Sequence, residues 1–363
     1  MRAGIFAGLW MMVAAVAAAQ EVAIIVPQSG PALNRSFLFS DPASGTLILL
    51  YEKRIVSPTT VALEIRRQDN LNPVRRLSLK MKPRELLRLA EYSPPYGIFA
   101  IVQSFPEVSV LKIDPATGKF TRTRLYTLEE AQQLDRSIRR IDPAGLTWDD
   151  RLQKAYVLLN LPGEATTKTL LASFDSNGVR SGAPVRIDAG KGEHLDLVYN
   201  TCRGDLAATT GKVVRLLRSP ATRPLVRPEE IAFDPGLCSY AVVRRQFTEI
   251  PQFYYLNASL DVQSFRQLPG GVAPQLFSQS RDTVVFNAQR GSFIYPTWAN
   301  HQRLYINEIT PAGIQSSVLE TPIDSSSMSV ASQGDRVFLL LSGLQFGTFE
   351  RLHRLVLMRI QTP

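Results

Sequence analysis

Apolar and polar residues alternate along this chain in short runs, separated by turns rich in Asp, Asn, Pro and Gly. Val110-Leu111-Lys112-Ile113 enters Asp114-Pro115-Ala116-Thr117-Gly118 and leaves through Phe120 to Leu125. Leu170 to Phe174 enters Asp175-Ser176-Asn177-Gly178 and leaves through Pro184 to Ile187. Arg303 to Ile309 enters Thr310-Pro311-Ala312-Gly313 and leaves through Gln315 to Leu319. A period of two on either side of such a turn predicts a β-hairpin, because successive strand residues point to opposite faces. Weaker copies are Val61 to Ile65 before Asn70-Leu71-Asn72, Val213 to Leu217 before Ser219-Pro220, and Phe253 to Leu256 before Asn257.

Upstream of these lie second hairpins with a more apolar exit strand. Ser36 to Phe39 turns at Asp41 to Gly45 into Thr46 to Leu50, Ile231 to Phe233 turns at Asp234-Pro235-Gly236 into Ser239 to Val243, and Met328 to Ala331 turns at Gln333-Gly334-Asp335 into Val337 to Leu341. Two hairpins make four strands per unit. The first set of turns begins near residues 70, 114, 175, 219, 257 and 310, on average 48 residues apart. A repeat of that length with four strands in each copy predicts an all-β fold: a seven-bladed β-propeller of four-stranded antiparallel blades. The last hairpin starts at Arg354 to Met358, and Pro363 arrives before its return strand. Val22-Ala23-Ile24-Ile25-Val26 is expected to supply that strand, which closes the ring and removes an exposed edge. The 61-residue interval from 114 to 175 keeps six or eight blades open.

That long interval holds the predicted helical insertion. Thr127-Leu128-Glu129-Glu130 has the form of a capping box, Leu128, Ala131, Leu134 and Ile138 mark one face, and Pro143-Ala144-Gly145 is expected to end the run. Its place between blades puts it on the same side of the ring as the loops joining second and third strands, where it is expected to shade one mouth of the central channel.

Composition narrows the class. Of 363 residues, 45% are hydrophobic and 20% charged, which suits a globular chain and excludes a disordered one. Met1-Arg2, the apolar run Ala3 to Val16 and Ala17-Ala18-Ala19 read as a secretory signal cleaved after Ala19, leaving residues 20–363 as a single propeller domain. No other stretch is long and apolar enough to span a membrane. The expectation is a periplasmic or secreted monomer. Export changes the meaning of the +9 net charge, since such a protein meets envelope polymers and not nucleic acid. The pairs Arg66-Arg67, Arg75-Arg76, Arg139-Arg140 and Arg244-Arg245 are scattered and read as solvated strand faces.

Candidate chemistry is sparse. The chain carries no phosphate loop, nucleophile elbow, zinc-protease helix or paired CxxC. Cys202 and Cys238 lie 36 residues apart; a disulfide and two buried free thiols both satisfy the sequence. His194, His301 and His353 are mutually distant, and Glu193-His194-Leu195-Asp196 is the densest titratable cluster. Trp148-Asp149 occurs once, before a turn, and does not make a WD repeat. Asn34-Arg35-Ser36 and Asn257-Ala258-Ser259 match the N-glycosylation pattern. The loops between second and third strands carry Lys53-Arg54, Phe105, Arg244-Arg245 with Phe247, Trp298 with His301, and Phe346 with Phe349. Aromatic and Arg side chains around one mouth form a candidate binding face.

Val110 to Lys119 and Ser173 to Gly178 give the chain a phrase form that resembles exported bacterial β-propellers of the broad TolB-like, lactonase-like and YVTN-repeat group. The resemblance implies architecture alone: no YVTN tetrad, Asp-box or kelch Gly-Gly series is present, and no lactonase metal-ligand set maps here. The functional expectation is a non-enzymatic binding module or scaffold, engaging an envelope or extracellular protein or an anionic glycan through one loop face, without a cofactor. The alternative is a hydrolase or lyase with its site in the channel, built on a divalent metal.

Overall fold

The computed structural model describes residues 20–28, 35–53, 60–187, 193–244, 250–270, 283–300, 302–345 and 353–361. They form seven four-stranded antiparallel sheets arranged as the blades of a propeller. Taken from the channel outward, blade 1 is Ser36–Asp41, Thr46–Lys53, Thr60–Arg67 and Pro73–Lys80. Blade 2 is Leu86–Ser93, Gly97–Ser104, Glu107–Ile113 and Phe120–Thr127. Blade 3 is Asp142–Asp149, Lys154–Pro162, Thr167–Asp175 and Val185–Ile187; blade 4 is His194–Asn200, Asp205–Thr210, Val213–Leu216 and Thr222–Pro224. Blade 5 is Glu230–Asp234, Ser239–Arg244, Gln252–Leu256 and Val262–Gln267, and blade 6 is Val285–Asn287, Ser292–Asn300, Arg303–Ile309 and Ile314–Glu320. Blade 7 takes Ile323–Gln333, Arg336–Gln345 and His353–Gln361 from one end of the chain and Gln20–Gln28 from the other.

The expected closure is therefore present, with Val22 opposite Met358 and Ile24 opposite Val356. Glu21 and Arg359 form an ion pair across the same ladder at 2.5 Å. A closed ring needs this shared blade, because an unpaired edge of His353–Gln361 would leave a row of backbone donors and acceptors open to another chain.

The core is divided among the blade interfaces. Each second strand is sandwiched on both faces, which is why it reads as an unbroken apolar run and not as an alternation. Leu47, Leu49 and Tyr51 face blade 7, packing on Phe338, Leu340 and Leu357, whereas Ile48 and Leu50 face blade 2, packing on Ala100 and Val102. Seven such clusters separate the seven blades, so burial is repeated locally instead of gathered in one centre.

The long interval is explained by the inserted helix, Leu128–Leu134, with its capping box formed as expected: Thr127 and Glu130 each accept the other's backbone amide. Two details differ from expectation. Leu128 and Ala131 are buried, but Leu134 is 45% exposed, because the chain leaves the helix at Asp135 and a turn then buries Ile138. Asp135 Oδ1 accepts the Ser137 amide and hydroxyl at 3.0 and 2.8 Å, a local bond that competes with another helical turn. Pro143-Ala144-Gly145 does not end the helix; it opens the inner strand of blade 3. Gly145 is required there, since a Cβ would stand 2.6 Å from the Leu197 amide nitrogen of the next blade.

Candidate functional site

The strand order gives the ring two unlike faces. One carries the hairpin turns between first and second and between third and fourth strands. The other, the connecting face, carries the loops between second and third strands and every passage from blade to blade.

On the connecting face a clasp recurs. A polar residue near the end of a second strand holds the backbone of the following blade. Glu52 Oε1 accepts the Leu87 amide at 2.5 Å, Gln103 Nε2 donates to the Ile141 carbonyl at 2.5 Å, and Thr209 Oγ1 donates to the Glu229 carbonyl at 3.0 Å. Asn160 does both, donating to the His194 carbonyl at 2.7 Å and accepting its amide at 3.2 Å. These residues escaped the sequence reading. Their signal is one polar residue closing each apolar run, as in Leu47 to Tyr51 then Glu52, or Ala155 to Leu159 then Asn160.

A second ring of bonds serves the channel edge, where the inner strands have no neighbouring strand. Ser329 Oγ accepts the Leu38 amide at 3.1 Å, Thr147 Oγ1 the Tyr199 amide at 3.1 Å and Asp196 Oδ2 the Ile231 amide at 2.9 Å. Glu230 Oε2 accepts from the Thr283 amide and hydroxyl at 2.9 and 2.7 Å. Asp196 and Glu230, carboxylates of the kind a channel site would use, are thus engaged with backbone. Among the described residues, no three His, Cys, Asp or Glu side chains converge in a metal-holding group.

His194, from the densest titratable cluster, is buried where blades 3 and 4 meet. Nδ1 lies 3.2 Å from Thr169 Oγ1, and among the described residues no hydrogen-bond partner reaches Nε2. Burial, with the positive charge of Arg215 adding to it, lowers its pKa to about 4. It is a neutral structural imidazole and not an acid–base partner of Asp196.

Of the candidate face residues, Phe105, Arg244 and Trp298 fall among the described residues; Arg54, Arg245, Phe247, His301, Phe346 and Phe349 lie outside them. Phe105 stands at the tip of the blade 2 loop and is 80% exposed, more than any other large apolar side chain described. Arg244 is buried and donates to Gln252 Oε1 at 3.1 Å, so it serves blade 5 and is not offered to solvent. Trp298 is half-buried against the cluster between blades 6 and 7. Arg66 likewise departs from a solvated strand face: it is buried and donates to Glu64 Oε1 at 2.6 Å and to the Leu71 carbonyl at 2.6 Å.

The inserted helix sits beside Phe105, with the Leu128 amide donating to the Pro106 carbonyl at 2.8 Å. Lys168 Nζ donates to the Leu134 carbonyl at 3.0 Å and to Asp135 Oδ2 at 2.9 Å. That bond, with those from Ser137, holds the Asp135 carboxyl at about 2. Past the helix, Arg136 and Arg139 are exposed and form no ion pair within the described residues, whereas Arg140 pairs with Asp142 at 2.6 Å. Phe105, Leu134, Arg136 and Arg139 are thus exposed apolar and basic side chains of one connecting-face region, in which Phe105 lines a small cleft with Leu128 and Arg140.

On the opposite face, Cys202 and Cys238 form a disulfide with their Cα atoms 6.0 Å apart. It ties the first turn of blade 4 to the first turn of blade 5, and Cys202 is exposed, unlike the buried thiol of the other reading.

No protein-family model matches the chain, and no curated protein matches it in sequence. Solved structures match its fold. The β-propeller domain of Cps50 (Swd1) from Myceliophteria thermophila is similar at 14% identity and a TM-score of 0.57, over 94% of this chain and all of that one. Puromycin hydrolase is similar at 13% identity and a TM-score of 0.56, over 88% of this chain and 51% of the hydrolase. The Dos1 propeller is similar at 9% identity and a TM-score of 0.54, over 93% of both chains. At these identities the likeness establishes the seven-bladed propeller and carries no activity across.

Proposed function

We propose that this chain is an exported propeller, of the TolB-like, lactonase-like and YVTN-repeat kind, that acts as a binding module for an envelope or extracellular protein. The carrying observation is the exposed set on the connecting face: an aromatic side chain 80% in solvent beside the inserted helix, which carries exposed Leu134 and leads to Arg136 and Arg139, guanidinium groups without an ion pair among the described residues. Aromatic and Arg side chains dominate the energetics of protein interfaces, and this region presents both types together with an exposed Leu. Export is supported by the signal-like pattern of residues 1–19 and by a disulfide, which persists in oxidising compartments.

The test is site-specific photocrosslinking in the producing cell. A crosslinker at position 105 is expected to give a discrete protein adduct, lost on adding R136E/R139E, while one at exposed Leu152 on the opposite face gives none. Equal adducts from both positions, or none from 105, count against the assigned face. Mass measurement of the recovered protein checks export: an N-terminus at Gln20 is expected, and an intact Met1 overturns it.

A further inference from the structure

Neighbouring blades diverge with distance from the ring axis, so a groove opens at the rim between each pair. The groove between blades 1 and 2 is basic. Its walls are the outer strands Pro73–Lys80 and Phe120–Thr127, each eight residues and so about 26 Å long. Side-chain alternation fixes what faces it. Leu77 and Leu79 pack into the blade 1–blade 2 cluster, so Arg75 projects to the same side; Phe120 packs on that cluster too, so Arg122 and Arg124 follow it. The passage between the blades adds Lys82 and Arg84 at one end.

The carboxylates that line this groove are already engaged. Glu85, fully buried, holds Arg122 through both of its oxygens, and Glu107 holds Lys82 at 2.6 Å. The Asp114 carboxyl is held below its ordinary range, first by its Thr117 hydrogen bond and last by the charge of Arg75. Arg75, Arg84 and Arg124 are exposed and, among the described residues, form no hydrogen bond or ion pair. Their charges are therefore available to an external anion.

We infer that this rim groove is a binding site for an acidic polysaccharide. Three unpaired guanidinium groups spread along a narrow cleft match a thin chain with anions repeated along it, and each planar fork suits a carboxylate or sulfate. A membrane surface fits less well, because none of the groove-side residues is an exposed large apolar side chain that could insert. Among the described residues whose side chains face the groove, no exposed aromatic ring offers a nucleic acid a stacking platform. The groove's upper end adjoins the Phe105 loop through the Lys82–Glu107 pair, but Arg75 and Arg124 are not among the exposed residues of the protein-binding reading, so charge reversal at each set tests the two readings separately.

Polygalacturonate is the probe, titrated into the full-length mature protein at low and physiological ionic strength. Binding is expected to weaken with added salt, and R75E/R124E is expected to weaken it by about tenfold or more. R136E/R139E, on the connecting face, is expected to leave it unchanged. R75Q/R124Q should fall between, and it replaces the reversal variant should that one melt early. Equal binding by wild type and both groove variants overturns the site. Equal loss in R136E/R139E does so as well, since it shows only net-charge attraction. Tighter binding to phosphatidylglycerol vesicles or to poly-glutamate than to polygalacturonate overturns the assignment to a polysaccharide.

Discussion

Asn160 grips His194 by both sides of one peptide position: its Nδ2 donates to the His194 carbonyl at 2.7 Å and its Oδ1 accepts the His194 amide at 3.2 Å. Thr169 Oγ1 donates to the same Oδ1 at 3.0 Å and also faces the imidazole at 3.2 Å. Through one buried amide, the end of blade 3 fixes where blade 4 begins. N160A strands a buried backbone donor and acceptor and is expected to cost about 1–3 kcal/mol in urea unfolding. N160A with unchanged stability would show that the clasp adds nothing.

The same contact makes stability depend on acid. His194 has a folded pKa near 4, below its ordinary value of 6.5, because burial disfavours the imidazolium. The unfolded chain therefore takes up a proton that the folded one refuses. This contribution is fully present above pH 6.5 and falls as pH drops from 6.5 towards 4, by about 1.4 kcal/mol per pH unit at most. Unfolding midpoints across that window should drop more steeply for wild type than for H194N; parallel curves would dismiss His194 as the source.

Cys202 and Cys238 close a loop with a sequence separation of 36 between two blades. Loop-closure entropy puts the stabilisation at up to ~4 kcal/mol, less any native strain. C202S/C238S, compared with the oxidised protein by thermal melting, is expected to melt lower. Addition of reductant should reproduce that shift in wild type and leave the variant unmoved.

Glu64 is a buried carboxylate surrounded by Tyr51 at 3.0 Å, Arg66 at 2.6 Å and Arg76 at 2.9 Å. E64Q leaves the buried Arg66 charge without its counter-ion and is expected to cost about 3–5 kcal/mol, measured by denaturant unfolding. Burial first, then the Glu64 charge, pushes the Tyr51 hydroxyl far above its usual range. An ultraviolet titration of Y51F against wild type should therefore show no phenol lost from those ionising near pH 10.

Ring closure rests on the strand Gln20–Gln28. Ala23 packs towards Phe338, Leu355 and Leu357, whereas Val22 is 41% exposed. A23D is expected to lower the melting temperature by several degrees and to promote association through the opened blade, while V22D changes little. Equal effects at the two positions would mean that the inward face of this strand does not hold the ring.

The repeat, the four-strand unit and the closure by Val22 to Val26 follow from the sequence, because hairpins are local and the blade is assembled from neighbours in the chain. Asp114 and Asp175 announce their turns by residue type, and each indeed accepts backbone amides two residues on. The helix start at Thr127 is equally local. Side-chain direction at a blade interface is not local. Arg66 and Arg244 sit in strands that read as solvated but are buried, Arg66 against Glu64 of its own strand and the Leu71 turn and Arg244 against Gln252 of the neighbouring strand. Phe105 and the Arg136 to Arg139 stretch come from segments about 30 residues apart, with no spacing rule to join them.

By itself, then, the sequence determined the class of fold, the number of strands per copy and the strand that seals the ring, since period and turn chemistry act over a few residues. Only the tertiary structure decided the count of seven, the joining of Cys202 to Cys238, the burial of His194 and the facing of the Arg75 and Arg124 strands across blades 1 and 2. Each of these depends on contacts between separate blades, and the packing angle of one sheet on the next sets them.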